Sequence, residues 1–319
     1  MQHWINRVSN EISWSASFIL KYGTIVIVAL IFMLSCAKSI ELDLGQNGEP
    51  VLVVDGQFTD MNVNNYVRLT WARRPNETSV TPVDGAVVVV SNQKGDLDTL
   101  VNERLVENEY DDPLFEGYYY ATKLNCAAGD KLHLTVLVGD NSFEADAIMP
   151  PVTPIDSVGL QLVENFPDEN SRSYFPLLFF RDPRPDRNFY MTQFCPVSST
   201  TGAYLHRLPC RFSDKVWNVA ILDDKHLPEY VNGLNINVGA TPSPYFKQWL
   251  TVDDYTAFLY SLTEEAYNYY LALIKSLNSD GGVYSPAPAN APSNIRGTAP
   301  AAGFFNASCV KQKPFSIIP

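Results

Sequence analysis

The chain has 319 residues and a formal net charge of −12, with 46% hydrophobic and 12% aromatic residues. This length is enough for two domains of ordinary size, and the hydrophobic content is enough to build their cores. An acidic surface repels phosphate backbones and anionic lipid head groups, so the charge argues against nucleic acid as a partner and against electrostatic attachment to membranes.

The N-terminal segment contains an apolar run, residues 24–35, which is followed at once by Cys36. The run is shorter than the roughly 20 apolar residues that a transmembrane helix needs, and its composition is typical of a secretory signal. The sequence Met33-Leu34-Ser35-Cys36 resembles a lipobox, in which the signal peptide is cut before a cysteine that carries diacylglycerol.

We therefore predict a lipoprotein signal peptide at residues 1–35, lipidation of Cys36 and a lipid-attached tether at residues 36–50. The alternative is an uncleaved N-terminal anchor, in which Cys36 is an ordinary thiol. Because the chain is acidic, membrane attachment must come from the lipid rather than from charge.

Residues 51–151 are predicted to form a β-sandwich domain of the immunoglobulin-like or transthyretin-like kind. Short apolar or alternating runs separated by turn residues are typical of such a sandwich. The predicted strands are 51–59, 66–71, 86–91, 98–101, 117–123, 131–138 and 142–148. The sequence Met149-Pro150-Pro151 cannot continue a strand ladder, so it predicts the end of this domain.

Residues 155–319 are predicted to form a second β-rich domain that contains one amphipathic helix, residues 264–278. The helix is indicated by the capping-box spacing of Ser261 and Glu264 and by apolar residues at helical period. The predicted strands are 174–181, 188–196, 216–222, 255–262 and 303–307. The predicted fold class is therefore mainly β, with a sandwich first and a mixed domain second.

Four cysteines follow Cys36, and a disulfide persists only in an oxidising compartment such as the cell envelope. Cys195 and Cys210 flank a Ser-Ser-Thr-Thr-Gly segment, which predicts a hairpin that could bring them together as a disulfide. The spacing leaves the pairing of Cys126 and Cys309 open. A metal site is a poorer interpretation because the sequence has no CxxC or HxxxH spacing.

Catalytic motifs are absent from the sequence, which has neither an HExxH helix nor a GxSxG elbow. The segment Asp60-Met-Asn-Val-Asn-Asn begins like a calcium loop, but Asn65 stands where such a loop needs glycine. We therefore predict no catalytic residue, no metal and no cofactor. Aromatic side chains are the better candidates for binding a partner: Tyr119, Tyr245, Phe246 and Trp249.

Several segments in fixed order resemble a Bacteroidota lipoprotein family called domain of unknown function 4249. They are Cys36-Ala-Lys-Ser-Ile-Glu-Leu-Asp-Leu, Val51-Leu-Val-Val-Asp-Gly, Ala147-Ile-Met-Pro-Pro-Val-Thr-Pro-Ile-Asp-Ser-Val, Leu262-Thr-Glu-Glu-Ala-Tyr-Asn-Tyr-Tyr, Ala291-Pro-Ser-Asn-Ile-Arg-Gly and Gly303-Phe-Phe-Asn-Ala. The resemblance implies an outer-membrane lipoprotein, of a kind often encoded beside TonB-dependent receptors, and carries over no catalytic residue. Thr99 and Ser157 also lie in sequences that resemble Bacteroidota O-glycosylation acceptors.

The functional hypothesis is a lipid-anchored, outer-membrane binding or accessory protein that works with a membrane receptor. One alternative is an envelope glycan hydrolase, which would need two carboxylates facing each other across a cleft. The other is a structural component of a surface assembly. The sequence names no ligand and leaves open which face of the outer membrane carries the protein.

Overall fold

The computed structural model describes residues 50–62, 65–72, 81–102, 116–164, 172–196, 219–235, 254–277 and 291–316. Cys36, the signal peptide and the tether therefore lie outside the described residues. None of the helices in this part of the chain is both long enough and apolar enough to cross a membrane.

The described residues form eighteen strands, one α-helix and one short 3₁₀ helix at Asp224–His226. The strands are β1 (Leu52–Thr59), β2 (Tyr66–Trp71), β3 (Thr81–Pro82), β4 (Val87–Asn92), β5 (Leu97–Thr99), β6 (Val101–Asn102), β7 (Tyr118–Tyr120), β8 (Lys131–Val138), β9 (Asn141–Ile148), β10 (Ile155–Glu164), β11 (Arg172–Arg181), β12 (Phe189–Pro196), β13 (Val219–Asp223), β14 (Tyr230–Asn235), β15 (Asp254–Leu262), β16 (Arg296–Gly297), β17 (Ala301–Ser308) and β18 (Val310–Ser316). The helix, α1, spans Glu264–Leu277. The predicted mainly β fold class is thus confirmed.

The first two sheets form a sandwich around one apolar core. Sheet A has the strand order β17-β1-β2-β7-β6, with β3 paired to β2, and sheet B has the order β16-β9-β8-β4-β5. Both sheets contribute fully buried side chains to the core, among them Val54, Leu69 and Phe305 from sheet A and Val88, Leu134 and Phe143 from sheet B. Strand alternation explains this arrangement, because every second side chain of each strand points inward.

Two further sheets pack face to face and form a second sandwich. Sheet C has the order β10-β11-β14, and sheet D has the order β13-β12-β15-β18. Their shared core is richer in aromatic residues, with Phe180 and Tyr190 in an edge-to-face pair whose ring centroids are 5.4 Å apart.

Helix α1 covers the other face of sheet D and also reaches sheet A. Ala266 and Tyr270 pack against Phe189 and Tyr260 of sheet D and against Phe304 of β17. The helix is capped by Thr263, whose side-chain oxygen accepts a hydrogen bond from the Ala266 N–H at 3.2 Å. The predicted capping residue, Ser261, is therefore wrong, because the helix begins after Thr263.

Ser261 instead joins three segments at the point where the two sandwiches meet. Its hydroxyl donates to the Pro150 carbonyl at 2.6 Å and accepts from the Cys309 N–H at 3.0 Å. Cys309 lies between β17, which pairs with β1 in parallel, and β18, which pairs with β15. The C-terminal strands thus belong to one sheet of each sandwich, and the described residues from 50 to 316 lie in one compact unit.

Candidate functional site

The outer face of sheet B carries large apolar side chains that remain exposed. Val88 and Val90 of β4 point into the core, so strand alternation places Val87 and Val89 on the outside. Val87 is 48% exposed, and Leu137, directly opposite it on β8, is 43% exposed. Leu97 on the neighbouring strand β5 is 61% exposed. We call Val87, Val89, Leu137 and Leu97 the apolar patch.

A charged cluster lies on the same face, on β8 and on the two strands beyond it, β9 and β16. Asp146 of β9 accepts a hydrogen bond from His133 Nδ1 of β8 at 2.8 Å. Strand β16 brings Arg296 to the other carboxylate oxygen of Asp146 at 2.5 Å. The hydrogen bond from His133, assisted by Arg296, holds the pKa of Asp146 below its ordinary value.

The charged cluster is accessible to solvent, and this limits its contribution to stability. The side chains of His133, Asp146 and Arg296 are 42%, 61% and 69% exposed. Exposed ion pairs contribute at most about 1 kcal/mol because water and salt screen them. These charges are therefore better placed to orient a partner than to hold the fold together.

A buried carboxylate holds the edge strand β5 in position beneath the patch. Asp98 is 2% exposed and accepts hydrogen bonds from the backbone N–H groups of Thr122, Lys123 and Leu124 at 2.6–3.0 Å. Burial raises the pKa of Asp98, but the backbone donors outweigh burial and lower it overall. Because Asp98 points inward, its neighbours Leu97 and Thr99 both point outward.

This face combines exposed apolar side chains with charged side chains of both signs. In the part of the chain that the structure describes, no group of His, Cys, Asp or Glu side chains is arranged to hold a metal ion.

Of the predicted partner-binding aromatics, Tyr119 alone lies within the described residues. Tyr119 is 1% exposed, and its hydroxyl donates to the Val83 carbonyl at 2.8 Å and accepts from the Ala86 N–H at 3.1 Å. A partner cannot reach a ring buried in this way, so Tyr119 has a structural role. Tyr245, Phe246 and Trp249 lie outside the described residues.

The remaining predicted modification sites fall in different places. Thr99 and Ser157 are both exposed on strands, β5 and β10. Cys195 lies in β12, whereas Cys210 is outside the described residues, so the predicted disulfide between them stays a prediction.

Asp60 and Asn62, which suggested the start of a calcium loop, are used to bind backbone groups. Asp60 accepts a hydrogen bond from the Val310 N–H at 2.7 Å. The Asn62 side chain accepts from the Cys126 N–H at 2.6 Å. Their oxygens thus fasten the turn after β1 to two distant segments.

Two buried carboxylates in the second sandwich also have structural partners. Asp182, 1% exposed, accepts a hydrogen bond from the Tyr190 hydroxyl at 2.6 Å and faces Arg184 Nε at 3.4 Å. Asp224, 5% exposed, accepts from the Asn188 N–H at 2.7 Å. Both carboxylates therefore fix the loop between β11 and β12, and neither is arranged as an open catalytic acid.

Sequence reasoning missed the apolar patch, although a signal for it was present. Residues 87–90 are four consecutive valines, and a continuous apolar run suggests a strand buried on both faces. Strand β4 belongs to sheet B, which faces the core on one side only, so Val87 and Val89 remain on the outside.

No curated protein matches the sequence. The model of one protein family matches residues 37–314, which is most of the chain, and its description gives no activity. The chain therefore belongs to the family described as domain of unknown function DUF4249.

Proposed function

We propose that this chain is a lipid-anchored binding or accessory protein of the bacterial outer membrane. Acyl chains on Cys36 hold it at the membrane, and the outer face of sheet B contacts a membrane-embedded receptor. The single observation that carries the binding role is the apolar patch, whose members project from three adjacent strands of one rigid sheet.

The chemistry of the face indicates what kind of partner fits it. Covering exposed Val and Leu side chains with another apolar surface lowers the free energy by about 25 cal/mol per Å² of apolar surface buried. The His133, Asp146 and Arg296 cluster beside them adds direction to the contact. The chain carries an overall charge of −12, so a basic partner surface is attracted over a longer distance than apolar contacts act.

A pull-down from outer membranes in a mild detergent tests the contact surface. We expect Leu137→Asp to lower recovery of the partner at least tenfold, because it places a charge directly beside Val87 of the patch. Leu162→Asp is the matched control, since Leu162 is also a strand leucine that is 43% exposed but lies on sheet C. Equal recovery with both variants, or no partner with the unmodified protein, would refute the proposal.

Incorporation of labelled palmitate tests the anchor separately. We expect label in the unmodified protein and none in Cys36→Ser, which should also leave the membrane fraction. Label that persists in Cys36→Ser would place the acyl chains elsewhere and contradict the anchor.

A further inference from the structure

The turn after β1 fastens two segments that are far apart in sequence, and each of them carries a cysteine. Asn62 binds the backbone of Cys126 on both sides, accepting from its N–H at 2.6 Å and donating to its carbonyl at 3.3 Å. Asp60 binds the backbone N–H of Val310, the residue after Cys309. A turn of three residues therefore ties both cysteine-containing segments to the same end of β1.

The two thiols share one environment at the end of the first sandwich. Cys126 is 3% exposed and Cys309 is 2% exposed, and both belong to the same apolar core. The negative charges of Asp60 and Asp130 act on both thiols. Among the described side chains, these thiols and carboxylates do not form a metal-binding group.

We propose that Cys126 and Cys309 are joined by a disulfide bond in the exported protein; they are unlinked in this structure. The inference rests on the proposed export, because disulfides persist in oxidising compartments. Formation of the S–S bond removes one proton and one electron from each thiol. The electrons pass by exchange to the disulfide of a thiol-disulfide oxidase, which becomes a dithiol.

The bond must form before the turn closes over the thiols. Burial, reinforced by the nearby carboxylates, raises the pKa of each thiol to about 12 in the folded protein. Only about one thiol in 10⁵ is then ionised at pH 7, and the thiolate is the form that reacts. The same burial shields the finished disulfide from reductants.

The link would connect parts of the fold that are far apart in sequence. Cys126 precedes β8 of sheet B, and Cys309 lies between β17 of sheet A and β18 of sheet D. One bond would therefore fix both sheets of the first sandwich to the start of the last strand. It also leaves Cys195 and Cys210 free to form the pair that their spacing predicts.

Peptide mapping tests the pairing directly, because trypsin separates all four cysteines. Cys126 falls in residues 124–131 and Cys309 in residues 297–311, whereas Cys195 and Cys210 fall in residues 188–207 and 208–211. Protein from the cell envelope is unfolded in the presence of iodoacetamide and digested without reductant. We expect residues 124–131 linked to residues 297–311, and no alkylation of either cysteine.

Cysteine variants check which cysteines are paired in the peptide map. The double variant Cys195→Ser/Cys210→Ser should keep the link, whereas Cys126→Ser should leave Cys309 fully alkylated. Alkylation of both Cys126 and Cys309 in the envelope protein, or a link from either of them to Cys195 or Cys210, would overturn the pairing.

A second arm separates this proposal from the proposed export. The purified full chain is unfolded, reduced and refolded with oxidised glutathione before the same mapping. If the link forms on refolding but the protein from cells is unlipidated and reduced, the proposed export is refuted and the pairing of these two cysteines is supported. A lipidated envelope protein without the link would refute the disulfide and leave the proposed function standing.

Discussion

The two faces of sheet B share the same strands but have opposite roles. On the inner face, Leu134 and Phe143 are at most 2% exposed and meet the side chains of sheet A. On the outer face, Val87 and Leu137 are nearly half exposed. Residues of similar hydrophobicity therefore stabilise the fold on one side and remain available for contact on the other, so composition alone does not reveal function.

The largest expected effect comes from emptying the inner face. Phe143→Ala removes a fully buried ring and leaves a cavity, which should lower the free energy of unfolding by about 3–5 kcal/mol. Leu137→Ala, on the adjacent strand but on the outer face, should lower it by less than about 1 kcal/mol. Urea denaturation of both variants measures the difference, and similar losses would contradict the assignment of the two faces.

Two carboxylates of this sandwich, the buried Asp98 and the exposed Asp146, show the same contrast between inside and outside. Asp98→Ala leaves three backbone N–H groups without their acceptor, so we expect a loss of about 3 kcal/mol at pH 7. Asp146→Ala, on the exposed face, should cost less than about 1 kcal/mol.

The pH dependence of unfolding tests the role of Asp98 in a second way, because the direction of the change can be predicted. The pKa of Asp98 is lower in the folded protein than its ordinary value of about 4. Ionised Asp98 therefore stabilises the fold above pH 4, and this contribution is lost as the pH falls through the folded-state pKa. In Asp98→Ala the free energy of unfolding should fall less steeply as the pH drops below about 4. The same steepness as in the unmodified protein would argue against this role.

The smallest effect expected for a buried side chain concerns Tyr119, which the sequence suggested as a contact residue. Tyr119→Phe keeps the buried ring but removes the hydroxyl that bonds Val83 and Ala86, so we expect a loss of about 1–2 kcal/mol. Tyr230→Phe, on a ring that is 40% exposed, should change stability by less than about 0.5 kcal/mol. Recovery of a partner in the pull-down should be the same for Tyr119→Phe as for the unmodified protein.

Local sequence patterns predicted much of the secondary structure. Alternation placed β2 and β8 at the residues where the structure has them, and helical period placed α1 to within one residue of its end. Strand β18 was not predicted because it has the sequence Val-Lys-Gln-Lys-Pro-Phe-Ser, whose charges and proline are tolerated only at an edge.

The candidate site was harder to predict because it depends on pairing between strands. Arg296 reaches Asp146 only because β16 pairs with β9, about 150 residues earlier in the chain. Which valines of β4 face solvent depends in the same way on which side of sheet B meets sheet A. Such long-range pairings leave little trace in a single sequence.

The parallel pairing of β17 with β1 has a consequence for how the protein is made. The two strands lie about 250 residues apart, so β1 leaves the ribosome long before its neighbour exists. Its edge then offers unpaired N–H and C=O groups to any passing strand, including those of other nascent chains. Distant contacts of this kind also slow folding, so the nascent chain has a long period in which a holding chaperone can protect that edge.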